Sequence, residues 1–102
     1  MSKIEILVIC RHEGILQTIV RLINNSPDWN ATGAVTDGEA TAAFDTQTYK
    51  LVLLGSGISK ESDEKLRLYF TSKNPGIVIV QHYGGGSGLL SAEIYEGLKG
   101  AD

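Results

Sequence analysis

Tyr49–Ser59 reads YKLVLLGSGIS, and its middle, Leu51–Leu54, is a short, wholly apolar run that breaks abruptly into glycine and serine. An apolar run of this length without alternation is the pattern of a strand buried on both faces, as in a parallel sheet covered by helices. Open parallel sheets usually put their chemistry in the loops beyond such strand ends. Here those loops carry Gly55, Ser56 and Gly57, none of which is a strong acid, a base or a metal ligand.

Upstream, Ile4–Cys10 is apolar except for Glu5 and reads as a second central strand. Ile15, Leu16, Ile19, Val20 and Ile23 recur at helical spacing and predict an amphipathic helix that stops at Asn24-Asn25-Ser26-Pro27. Trp29–Val35 is polar and small enough for an edge strand, with Trp29 partly buried. Thr36 and Glu39 fit a capping box, with the glutamate reaching back to the cap, and an alanine-rich helix follows with Ala40, Ala43 and Phe44 inward. Downstream, a helix is expected over Ser59–Ser72 with Leu66, Tyr69 and Phe70 facing the core. Its first turn, Glu61–Glu64, is expected to be solvated and favoured by the helix dipole. Asn74-Pro75-Gly76 ends it, Ile77–Val80 is a further buried strand, and a glycine turn leads to a last helix with Leu90, Ile94 and Leu98 on one side.

The order is βαβαβαβα, which implies right-handed crossovers and a three-layer α/β sandwich. A chain of 102 residues supports one domain, residues 1–102, and not two of ordinary size. With 42% apolar and 21% charged residues the composition is that of a folded protein rather than a disordered one. The net charge of −3 and the dispersal of the nine basic residues argue against nucleic-acid binding. A single cysteine rules out an internal disulfide framework, and MSKIEILVIC is too short for a signal peptide or membrane span. A cytoplasmic protein without membrane contact is expected.

From Ile6 to about Gln81 the chain resembles the receiver domain of bacterial response regulators. The segment that carries the resemblance is AVTDGEATAAFDTQTYKLVLLG, Ala34–Gly55. Its Asp37-Gly38-Glu39-Ala40 matches the turn that opens the family's second helix, and Tyr49–Leu54 matches its tyrosine-led third strand. Ile15-Leu16 falls where the first helix of the family has an aliphatic pair. The resemblance implies a flavodoxin-like sheet in the order 2-1-3-4. It also implies that the phosphoacceptor aspartate is replaced by Gly55, the magnesium-binding acidic pair by Cys10 and Arg11, and the hydroxyl residue after the fourth strand by Gln81. The family's fifth strand, with its lysine, is missing. Phosphoryl transfer to a carboxylate requires a carboxylate, and magnesium requires oxygen ligands. The expectation is a non-phosphorylatable pseudo-receiver, not an enzyme, with no cofactor and no metal, acting as a protein-interaction module in signal transduction.

Two further readings belong to other classes. Cys10, before a helix N-terminus and beside Arg11, resembles the phosphate-carrying cysteine of the phosphotransferase-system IIB proteins for cellobiose and lactose, although Glu13 would oppose a phosphate. A small buried strand residue is the plainer account of Cys10. The run Gly84, Gly85, Gly86, Ser87 and Gly88 offers backbone amides to a small anion but lacks a Walker lysine. His12 and His82 lie at the ends of strands about 10 Å apart in the expected order, too far for an easy shared metal site, and are expected to be solvated. With no fifth strand, the fourth becomes an apolar edge that a partner should cover. A homodimer is expected, through the fourth strand or through the last helix, whose Tyr83, Leu89 and Tyr95 would be outward; the alternative is that the edge takes a strand from another signalling protein.

Overall fold

The computed structural model describes residues 3–82 and 87–100. The elements in chain order are β1 (Ile4–Ile9), α1 (Glu13–Asn24), β2 (Trp29–Ala34), α2 (Asp37–Phe44), β3 (Leu51–Leu54), α3 (Lys60–Lys73), β4 (Val78–Gln81) and α4 (Ser87–Gly100). Among the described residues the sheet has four parallel strands in the order β2-β1-β3-β4. This is the three-layer flavodoxin-like architecture that the apolar runs predict.

The two central strands are fully covered: Ile6–Cys10 and Leu51–Leu54 are entirely buried. Alternate side chains serve opposite faces, as strand geometry requires. Ile6, Val8, Leu51 and Leu53 pack with Leu16, Ile19 and Ile23 of α1 and with Leu90 and Ile94 of α4. Leu7, Ile9, Val52 and Leu54 pack with Ala40 and Phe44 of α2 and with Leu66 and Phe70 of α3. The helices are set by local chemistry. Thr36 Oγ1 accepts from the Glu39 N–H at 3.1 Å and Ser59 Oγ from the Ser62 N–H at 3.2 Å, each satisfying an otherwise unpaired amide of the first turn.

Several expectations are corrected. Glu39 reaches back past the cap, and its carboxylate accepts from the Val35 N–H at 2.8 Å. Ser59 is the cap of α3 rather than its first residue. Tyr69 does pack against the core beside Phe44 and Phe70, as expected, but it is only half-buried and its hydroxyl donates to Asp45 at 2.8 Å. In the first turn of α3, Asp63 is half-buried and paired with Arg67, so that turn is not wholly solvated. Ile15 is 42% exposed, because the first turn of α1 projects beyond the strand ends and leaves it no sheet to cover. Trp29 sits on an edge strand yet is only 4% exposed, since its indole meets the ring of Tyr95 on α4 with centroids 4.9 Å apart. β4 is half-buried throughout rather than buried, because among the described residues one side of it has no neighbour strand. Tyr83 and Leu89 lie outside the residues whose side chains are described; Tyr95 is largely exposed.

Gly97 fixes how closely α4 approaches the sheet. A β-carbon there would lie 2.7 Å from Val80 Cγ2 and 3.1 Å from Leu51 Cδ1. Gly97→Val is expected to push the helix off β3 and β4 and to cost about 1–3 kcal/mol, read as a lower denaturant midpoint at unchanged slope.

Candidate functional site

The residues singled out at the strand ends are brought together at the carboxyl edge of β1, β3 and β4. Cys10 follows β1 and is fully buried. Its N–H donates to the Ala34 carbonyl at 3.1 Å. Its thiol lies 3.5 Å from the His12 carbonyl and 3.6 Å from Ser56 Oγ. A thiol so enclosed cannot present itself to a phosphate donor without the loops opening.

Gly55 follows β3, and its N–H donates to the Ile9 carbonyl at 2.6 Å. A β-carbon on residue 55 would lie 3.0 Å from Cys10 Cβ, 3.1 Å from the Ile9 oxygen and 3.3 Å from Cys10 Sγ. The two chains continue in contact past their strands: the Arg11 N–H donates to the Ser56 carbonyl at 3.1 Å. Gly57 takes φ +84°, a left-handed conformation that glycine adopts without strain, and a β-carbon there would meet Arg11 Cβ at 2.9 Å.

Arg11 does not stand free. Its guanidinium donates to the Val35 carbonyl at 2.8 Å and to the Asp37 carboxylate, tying the end of β1 to the turn that opens α2. The hydrogen bond from Arg11 holds the Asp37 carboxyl below its ordinary value of 3.8, against the opposing effect of burial and with a smaller contribution from Ser62.

Gln81 turns back to the sheet, where its Nε2 donates to the Leu54 carbonyl at 3.0 Å. The same carbonyl accepts the His82 N–H at 2.8 Å. His82 is not a solvated loop residue: its Nδ1 is 2.5 Å from Glu93 Oε1 on α4, with side-chain exposures of 8% and 15%. His12 is exposed, and its Nδ1 accepts the Ile15 N–H at 3.1 Å as the cap of α1. The two imidazoles thus serve different helices. Among the described residues no cluster of three or more His, Cys, Asp or Glu side chains could hold a metal. Gly84, Gly85 and Gly86 lie outside the described residues, and Ser87 and Gly88 open α4.

A groove of about 780 Å³ opens at this edge, with His12, Ile15, Gly55, Ser56, Gln81 and His82 among its walls. No carboxylate, lysine or arginine is found among its described lining residues. Sequence reasoning located Cys10, Arg11, Gly55 and Gln81 but missed both bridges. Asp37 was visible as part of the turn motif, whereas nothing in the spacing of His82 and Glu93 marks them as partners.

No family model matches the sequence, and no curated protein matches it. Solved structures do. A response regulator receiver domain protein from Clostridium thermocellum superposes with a TM-score of 0.79 at 16% identity, over 94% of both chains. A CheY-like response regulator receiver domain protein from Methanospirillum hungatei gives 0.68 at 19%, over 94% of this chain and 77% of that one. NtrX from Brucella abortus, solved in complex with ATP, gives 0.83 at 15%, over 98% of this chain but only 28% of NtrX.

The fold is that of a response-regulator receiver.

At these identities the likeness concerns architecture alone. Among the described residues of this receiver fold no helix is long and apolar enough to cross a membrane.

The Arg11–Asp37 bridge has a definite pH signature. A carboxyl whose folded pKa is depressed contributes stability above its unfolded pKa, near 4, and loses it as pH falls through the lower folded value. Asp37→Asn is therefore expected to be less stable than the parent at pH 7, by less than about 1 kcal/mol because the pair is partly in water. The gap should close as the pH drops below 3.8, in urea titrations run at a series of pH values.

Proposed function

We propose that this chain is a receiver-fold signalling module that works by protein contact in the cytoplasm and carries no phosphoryl chemistry. The observation that supports this reading best is the contact of Gly55 with β1. In the place where the resemblance puts the phosphoacceptor stands a residue with no carboxylate, and a β-carbon there would sit tightly, 3.0 Å from Cys10 Cβ and 3.1 Å from the Ile9 carbonyl oxygen. A larger side chain at residue 55 requires its neighbours on β1 to give by a few tenths of an ångström.

Three further features agree. Arg11 occupies the position of a magnesium-binding acid with a cation already committed to Asp37 and Val35. A hard divalent ion would find no carboxylate among the described residues lining the adjacent groove. Gln81 offers an amide already bonded to Leu54 in place of a hydroxyl that could reach a phosphoryl group. The phosphocysteine reading is weakened by the burial of Cys10, whose thiol faces the loop carbonyls rather than the groove mouth.

Intact-mass spectrometry after incubation with acetyl phosphate and magnesium, and separately with a phosphohistidine carrier protein, tests the proposal. No phosphoryl adduct is expected in either case. Gly55→Asp alone is expected to remain unmodified and to lose about 1–3 kcal/mol to overpacking against Cys10. A stoichiometric adduct on the parent protein would overturn the proposal, and an adduct mapped to Cys10 would move the protein to the phosphocysteine carriers.

A further inference from the structure

The two edges of the sheet differ in kind. β2 presents Asn30, Thr32 and Gly33, polar or small residues suited to water. β4 presents Val78, Ile79, Val80 and Gln81, all half-buried, and its outer side has no neighbouring strand among the described residues. The direction of its backbone groups follows from two hydrogen bonds. The N–H groups of Val78 and His82 both point inward, to the carbonyls of Lys50 and Leu54. Because N–H and C=O groups alternate sides along a strand, Val80 also faces β3, while Ile79 and Gln81 turn theirs outward. Beside this edge runs a groove of about 580 Å³, lined by Ile79, Val80, Gln81, Ala92, Glu96 and Gly97. An apolar strand with free backbone groups under a helix is a template for another strand.

We infer that β4 pairs antiparallel with β4 of a second copy of this chain, around a two-fold axis at Val80, and that the two α4 helices meet over the junction. This inference rests on the reading of the chain as a contact module and names its partner. Two features select a second copy. The outward groups sit symmetrically on either side of Val80, so Ile79 of each copy exchanges both its backbone bonds with Gln81 of the other. Val80 then faces its own counterpart in the close, non-hydrogen-bonded register, a favourable pairing of β-branched side chains. The second feature is charge. Glu96 and Lys99 are exposed and three residues apart on α4, while Glu93 is already engaged by His82. The two-fold axis runs the helices antiparallel on the same face of the joined sheet, which sets Glu96 of each copy towards Lys99 of the other. The small Ala92 on the groove side of α4 allows the helices to approach.

Sedimentation equilibrium of the whole chain across the micromolar range tests the inference. The parent is expected to be a dimer. Ile79→Pro removes an outward N–H without touching the β3 ladder, as proline on a strand edge permits, and deletes two donors per dimer. At about tenfold per hydrogen bond it should weaken the dimer about a hundredfold, with the far-ultraviolet dichroism retained. Glu96→Lys, a surface change that leaves the fold alone, should weaken it as well, and adding Lys99→Glu should restore it. A parent that is monomeric throughout, or a dimer indifferent to both Ile79→Pro and Glu96→Lys, overturns the inference. A phosphoryl adduct in the mass spectrum bears on the function proposed above, so failure of the two readings is told apart.

Discussion

The contact of Gly55 with the end of β1 is the constraint from which the rest of the carboxyl edge follows. Its N–H approaches the Ile9 carbonyl to 2.6 Å, and Cys10 fills the space below, so the two central strands stay closed together as they leave the sheet. The Arg11 amide then bonds Ser56, and Gly57 turns the chain in a conformation that leaves Arg11 room. With its backbone held there, the Arg11 side chain reaches Val35 and Asp37 and locks α2 to β1. The edge that open α/β sheets use for ligands is thus held by backbone contacts and an ion pair, with a groove lined by Gly55, Ser56 and Gln81 beside them.

α4 lies on the same face as α1, held down by Gly97 on Val80 and Leu51 and joined to the far edge by the rings of Trp29 and Tyr95. The buried contact of His82 with Glu93 fastens the end of β4 to the same helix. Among the described residues no strand pairs with the outer edge of β4, whose side chains are apolar except for Gln81.

Much of this architecture was legible in the residues themselves. The unbroken apolar runs at Ile6–Ile9 and Leu51–Leu54 identify two strands buried on both faces, and four strands in alternation with helices leave few arrangements of a parallel sheet. The side-chain bridges were not legible, for physical reasons. Periodicity reports which face of an element is apolar, not which helix will cover it. Ile15 continues the stripe of α1 but lies beyond the strand ends. Trp29 belongs to an edge and is buried by a helix that begins nearly sixty residues later. His82 and Glu93 meet only because α4 folds back over β4, and no spacing rule connects them. The glycines at 55 and 57 could be read as a loop, but that they are required there by Cys10 and Arg11 is a fact of packing.

We propose that the receiver fold is kept here without the carboxylates that phosphoryl groups and magnesium need at its strand ends. The most direct measurement is a two-dimensional ¹H–¹⁵N correlation spectrum of the labelled protein, titrated with magnesium and beryllofluoride, a stable mimic of a phosphoryl group. The account predicts that the amides of Cys10, Gly55, Ser56 and Gln81 do not shift. Saturable shifts gathered at those four amides would contradict it, because they would place the ion and the phosphoryl mimic at the strand ends.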